Sequence, residues 1–227
     1  MGVLMKLRPS LPSQTAIKAI VFDMDGTLCL PQSWMFKAMR DAVGLHDAQM
    51  DILTFIDELP SKKLQDEANL QIKRVEAQAM AEMKPQPGLL ELLRFLTLHN
   101  VSTGICTRNL MTAVRHLISK FVPPELDRFH HILTREFRPT KPSPAPLLHI
   151  ATHLRIRPEN MVMVGDSWDD MECGRAAGCA TILVRNNTNG VLLEKRGHLI
   201  DAAVNDLAEI IELLQSGIHS NKSSDAK

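Results

Sequence analysis

Neither sign of charge dominates this chain: its 227 residues carry 26 Lys and Arg against 26 Asp and Glu, a formal net charge of zero. A nucleic-acid binder ordinarily shows a basic excess, so the balance favours no such partner, while a local cluster of either sign remains permitted. No apolar run approaches the ~18 residues of a membrane span, and no membrane association is expected. The four cysteines, Cys29, Cys106, Cys173 and Cys179, lack the paired spacing of zinc or redox motifs, which makes a reducing compartment the default. The first 22 residues contain no acid and hold Lys6, Arg8 and Lys18 with Ser10 and Ser13, the charge character of a mitochondrial transit peptide. That segment is short and Ala19 already opens an apolar strand, so residues 1–17 are read as an N-terminal extension and a cytoplasmic protein is expected. No internal repeat is present.

What the chain does have begins at Ala19-Ile20-Val21-Phe22, a short run rich in β-branched and aromatic residues that suits a strand buried on both faces of a parallel sheet. Asp23 then falls at its carboxyl end, where open α/β sheets bind their ligands. A carboxylate is a weak nucleophile, but a divalent cation beside it neutralises the phosphoryl oxygens that would otherwise repel it. Asp23 is thus the candidate nucleophile. Asp25 lies two residues on, and Gly26 lets the chain turn sharply enough to re-aim it.

Three later segments carry compatible chemistry at the ends of apolar runs or in the loops before them. Cys106-Thr107-Arg108-Asn109 follows a strand expected at 101–106; the Thr107 hydroxyl can hydrogen-bond a phosphoryl oxygen, and Asn109 can cap the next helix. Lys141 lies in the proline-punctuated loop Arg138-Pro139-Thr140-Lys141-Pro142, where a point positive charge can stabilise Asp23 and a transferring group. Gly165-Asp166-Ser167-Trp168-Asp169-Asp170 delivers a second acidic cluster after the run 160–164. Magnesium takes hard oxygen ligands and keeps several waters, so carboxylates, a carbonyl, phosphate and water suffice.

In that order the four segments resemble the four motifs of the haloacid dehalogenase superfamily, most of whose members are phosphatases. The resemblance covers residues 18–215. It implies that Asp25 protonates the leaving oxygen, later activates water, and gives its backbone carbonyl to the metal; dehalogenases and phosphonate hydrolases of the superfamily lack this acid. It further implies a phosphate-binding set of Thr107, Arg108, Asn109 and Lys141, and a Mg2+ site formed by Asp23, Asp25, Asp166 and Asp170. Asp166 is the direct ligand, with Asp170 acting through water or orienting Asp166, and Asp169 is a solvated helix-start residue. The expected activity is magnesium-dependent hydrolysis of a small-molecule phosphate ester, by a monomer or homodimer. A phosphomutase on the same scaffold, or a non-catalytic phosphate-binding regulatory protein, are the rival readings.

The expected fold is α/β, a Rossmann-like doubly wound parallel sheet with a small all-helical cap. The core comprises 18–30 and 85–215, the cap 31–84, and a disordered tail 216–227. Leu64, Ala68, Ile72, Val75, Ala79 and Met83 recur at helical spacing within the insert. Strands are expected at 130–134, 161–165 and 180–184, helices at 109–120, 143–154, 169–177 and 205–214, with an edge strand at Leu199-Ile200. Asp57, Lys62, Lys63 and Gln65 are considered as cap residues facing substrate, against the plainer reading of a solvated surface. His149 and His153 lie four apart without the glutamate of a zinc peptidase motif and read as helix surface; Cys106 reads as core, and Trp168 either lines the pocket mouth or covers apolar surface.

Overall fold

The structure is a computed structural model that describes residues 3–7, 9–11, 13–47 and 50–220. In chain order the strands are β1 (Val3–Lys6), β2 (Thr15–Ala16), β3 (Ala19–Phe22), β4 (Ser102–Cys106), β5 (Phe129–Leu133), β6 (Met161–Gly165), β7 (Ala180–Val184), β8 (Ala202–Val204) and β9 (Ile218–Ser220). The α-helices are α1 (Ser33–Val43), α2 (Ile52–Asp57), α3 (Lys62–Glu82), α4 (Leu89–Leu98), α5 (Met111–Phe121), α6 (Ala145–Leu154), α7 (Trp168–Ala177), α8 (Gly190–Arg196) and α9 (Glu209–Ser216).

Six strands form one sheet in the order β5-β4-β3-β6-β7-β8, and every neighbouring pair is parallel. Parallel pairing demands crossovers, and the helices that supply them bury both faces. This is why β3, β6 and β7 are buried along their whole length, and apolar throughout but for Thr181, rather than alternating. Ala19, Val21, Cys106, Leu147, Ile150, Met161, Met163 and Cys173 make one shared cluster, locking α6 and α7 onto β3, β4 and β6. The chain leaves β3 to build β4 and β5 on one side and then returns to build β6, β7 and β8 on the other. The reversal opens a crevice at the carboxyl end of β3.

Residues Pro31–Lys84 form a second compact unit made of α1, α2 and α3. Met35, Met39, Ile56, Ala68, Ile72 and Ala79 are its core. Ser61 accepts the Leu64 N–H and Asp51 accepts those of Leu53 and Thr54, so α3 and α2 each start on a side-chain cap. Leu64 is exposed rather than part of the apolar stripe, because it lies in the first turn of α3, ahead of the core residues Ala68, Ile72 and Ala79.

The ends of the chain depart from the sequence expectation. Residues 1–17 and 216–227 are not simply extension and tail: β1 pairs in parallel with β2 and antiparallel with β9 to make a small separate sheet. Met5 and Ile218 are buried there, and strands of two to four residues are too short to carry a periodic signal. Positions 221–227 of the expected tail, and Arg8 of the basic N-terminus, lie outside the described residues. The edge strand is β8 rather than Leu199-Ile200, since Ile200 instead packs against Met171 and Leu183. The last helix starts at Glu209 rather than Asn205 because Asp206 Oδ1 accepts the Ala208 and Glu209 N–H groups and holds a turn first. Among the described residues no helix is long and apolar enough to cross a membrane.

Candidate active site

Asp23 is the first residue past β3, its N–H donated to the Val164 carbonyl at 2.9 Å, and its carboxylate faces into the crevice beside β6. Lys141 donates from Nζ to Asp23 Oδ1 at 2.7 Å and to Asp170 Oδ1 at 2.5 Å. Asp23, Asp166 and Asp170 each offer an oxygen within 4.8 Å of the others. Three acids and one ammonium in a buried space leave unbalanced negative charge, which the protonation equilibria register. Burial pushes the Asp23 carboxyl up to about 7 despite the opposing pull of Lys141, with Asp170 adding to the rise. Asp166 is pushed up to about 8, again first by burial and then by the charges of Asp23 and Asp170. Burial alone would lower Lys141, but Asp170 and Asp23 outweigh it and hold the ammonium protonated well above its ordinary range.

Two glycines make the cluster possible. Gly26 has φ +76, and a Cβ there would run into the Asp166 carboxylate; a Cβ on Gly165 would overlap the Asp170 side chain. The turn after β3 is wound around the Met24 carbonyl, which accepts the N–H groups of Thr27, Leu28 and Cys29. It brings Asp25 toward β4, where Asn109 Nδ2 donates to Asp25 Oδ2 at 2.6 Å and the Cys29 thiol donates to Oδ1 at 3.5 Å.

Asn109 is therefore not the helix cap expected from sequence: α5 begins at Met111 behind Leu110, and the amide is committed to Asp25. Buried Thr107 accepts the Asn109 N–H on Oγ1 at 3.1 Å, which fixes that turn. Arg108 donates from Nη1 to Asp169 Oδ2 at 2.8 Å, so Asp169 has a partner and is not merely solvated. Asp170 is fully buried in a reciprocal cap at the start of α7, its Oδ2 accepting from Ser167 N at 3.1 Å and Oγ at 2.6 Å.

Asp166 is also held by two residues that the sequence reading passed over. Asn186 Nδ2 donates to Asp166 Oδ2 at 2.8 Å, while buried Asn189 donates to the carbonyls of Asp166 and Val184, each at 2.8 Å. Their signal was the run Asn186-Asn187-Thr188-Asn189 directly after an apolar strand, polar residues at the carboxyl edge of the sheet. The Asp25 carboxylate stands outside the three-acid group.

The remaining sequence candidates are engaged with neighbours away from the three-acid group. Cys106 is buried with its thiol pushed up to about 12, chiefly by burial, in keeping with a core residue. His149 stacks at a tilt on Phe137 and His153 at the surface of α6, and Trp168 carries the Arg196 guanidinium 4.2 Å above its ring. Lys62 and Lys63 pair with Asp66 and Glu67 along α3, and Gln65 donates to the carbonyls of Asp57 and Leu59. The donor set of Asp23, Asp166 and Asp170 is all hard oxygen and anionic in excess of its one ammonium, which fits Mg2+.

Comparison with known proteins converges with this geometry. The family model of haloacid dehalogenase-like hydrolases matches residues 17–178. An uncharacterized hydrolase of Saccharomyces cerevisiae is 59% identical over 88% of this chain and 92% of its own. A phosphoglycolate phosphatase of Chromobacterium violaceum is 30% identical over 88% of this chain and 98% of its own. Among solved structures, CbbY from Rhodobacter sphaeroides in complex with phosphate superposes with a TM-score of 0.68 at 20% identity, covering 86% of this chain and 96% of that one, a likeness of fold. The family model spans the segments that carry Asp23 and Asp25 past the end of β3, the buried Lys141, and Asp166 and Asp170 beyond β6, and with that match over most of its length the chain belongs to the haloacid dehalogenase-like hydrolases.

Proposed function

We propose that this hydrolase is a magnesium-dependent phosphatase that cleaves a small phosphate monoester through an aspartyl phosphate on Asp23. The observation that carries the reading is the Asp23 carboxylate at the mouth of the crevice, held on one oxygen by Lys141 at 2.7 Å beside Asp166 and Asp170. Lys141 engages Oδ1, so Oδ2 is the atom presented for attack. As the Oδ2–P bond forms and the ester P–O bond breaks, Asp25, held by Asn109, delivers its proton to the leaving oxygen. Water then attacks phosphorus, its proton passes to Asp25, and phosphate departs with Asp23 restored.

Lys141 and Thr107 stabilise the charge on the transferring group from fixed positions, which is where most of the rate enhancement resides. Asp166, Asp170 and Asp23, with the Asp25 carbonyl, would hold Mg2+. When bound, the ion neutralises phosphoryl oxygens against the approaching carboxylate. Asn186 and Asn189 keep Asp166 aimed. The helical unit Pro31–Lys84, inserted in sequence between the Asp23 and Thr107 motifs, serves as the cap. Phosphate release from a panel of monoesters, by wild type and Asp23→Asn with magnesium or chelator, tests the reading: release must require both magnesium and Asp23. Release that survives in Asp23→Asn overturns it.

A further inference from the structure

The ion pair between Arg108 and Asp169 takes no part in the steps above, yet its position is unusual. β4 and β6 are the two neighbours of β3. Arg108 stands just past the end of β4 and Asp169 at the start of α7, just past the end of β6. A contact of 2.8 Å between them therefore spans the carboxyl end of β3, where Asp23 and Asp25 stand. The Lys141 ammonium is already divided between two carboxylates, whereas the Arg108 side chain is 58% exposed and its ion pair joins Asp169 through Nη1.

An exposed ion pair is worth little, so a ligand oxyanion can displace or share it at small cost. The guanidinium fork has five donors and pairs bidentately with carboxylate or phosphate. Resting on the phosphatase reading, we propose that Arg108 binds a second oxyanion carried by the alcohol portion of the substrate, so that the preferred esters bear a carboxylate or a further phosphate close to the scissile one. Asp169 holds the guanidinium across β3 in the absence of that group and competes with it. Arg196, held on Trp168 at the same helix start, lies at the end of α8 in the chain that follows β7, and makes a matched control.

Steady-state hydrolysis of 2-phosphoglycolate, propane-1,3-diol bisphosphate and phenyl phosphate by wild type, Arg108→Ala, Arg108→Gln, Asp169→Asn and Arg196→Ala tests this. In both Arg108 variants the KM for an oxyanion-bearing ester should rise about 30-fold more than that for phenyl phosphate, with kcat changed little, as expected for loss of one charge-assisted pair. Asp169→Asn should lower that KM, and Arg196→Ala should leave the preference between esters as in wild type. Which of the two oxyanion esters responds identifies carboxylate or phosphate. An equal loss on all three esters assigns Arg108 to the transferring group and overturns the proposal, as does no loss on any. Wild type that releases phosphate from none of them with magnesium overturns the phosphatase reading, and this inference with it.

Discussion

Lys141→Met is the sharpest test of how this site is held together. The ammonium is buried between Asp23 and Asp170, with side chains 3%, 12% and 0% exposed, so the substitution leaves two carboxylates facing each other without a cation. Removing one partner of a buried pair costs about 3–5 kcal/mol, a large share of a typical ~5–15 kcal/mol total. The loss should depend on pH. Lys141 is what restrains the Asp23 carboxyl to about 7, so without it that carboxyl rises further. A carboxyl raised in the folded state binds protons that the unfolded chain has released, and stability then falls as pH rises, by up to ~1.4 kcal/mol per pH unit per proton. The deficit should be small near pH 5, where the Asp23 carboxyl is protonated with or without the lysine, and should grow as pH rises past 7 to a clearly larger value at pH ~8. Urea unfolding of both proteins at the two pH values, in chelator and in magnesium, measures it; magnesium should recover part of the loss. The double variant Lys141→Met with Asp170→Asn should be more stable than Lys141→Met alone at the higher pH. A Lys141→Met protein as stable as wild type there, without metal, would refute the assignment of the lysine as the buried counter-charge.

Three further outcomes follow from the same geometry. With the Asp23 carboxyl near 7 and that of Asp166 near 8, the metal-free protein loses stability as pH rises from the ordinary carboxylate range through those values, so the thermal shift on adding magnesium should be larger at pH 8 than at pH 6; equal shifts would contradict it. Gly26→Ala forces a left-handed backbone on alanine and drives its Cβ onto Asp166, so it should cost at least ~2 kcal/mol in unfolding experiments and weaken magnesium binding by calorimetry. Asn186→Ala should weaken magnesium binding about tenfold while leaving the fold intact, whereas Asn189→Ala, which orphans the Val184 and Asp166 carbonyls, should also lower the unfolding midpoint.

The parallel sheet was legible because its central strands announce themselves. Burial on both faces turns β3 and β6 into unbroken apolar runs, each followed at once by an acid of the cluster, Asp23 or Asp166, and β7 is apolar but for Thr181. The elements that escaped are those whose stability comes from partners far away in sequence. β1 exists because β9 pairs with it, and neither segment has enough residues to reveal an alternation by itself. Leu64 was misjudged for a related reason: spacing identifies a helix face, but only the neighbours decide how far along the helix that face is covered.

Within the site, residue types foretold which side chains gather better than how each is oriented. Asp23, Asp166, Asp170 and Lys141 come together because Asp23 and Asp166 stand just past two adjacent strands, Asp170 in the first turn of the helix after β6 and Lys141 in the loop after β5, a placement that chain order already implies for a doubly wound sheet. Which acid each neighbour orients is a matter of side-chain reach across turns. Asn109 had two local options, capping α5 or crossing to Asp25. The turn held by the Thr107 hydroxyl selects the second, leaving the cap position to Leu110. Asn186 and Asn189 bond each other's backbone and side chain as well as Asp166, so their loop is shaped by interactions among its own amides before it reaches Asp166. A polar run after an apolar strand marks where such a loop begins, and only its folded form reveals that it aims a carboxylate.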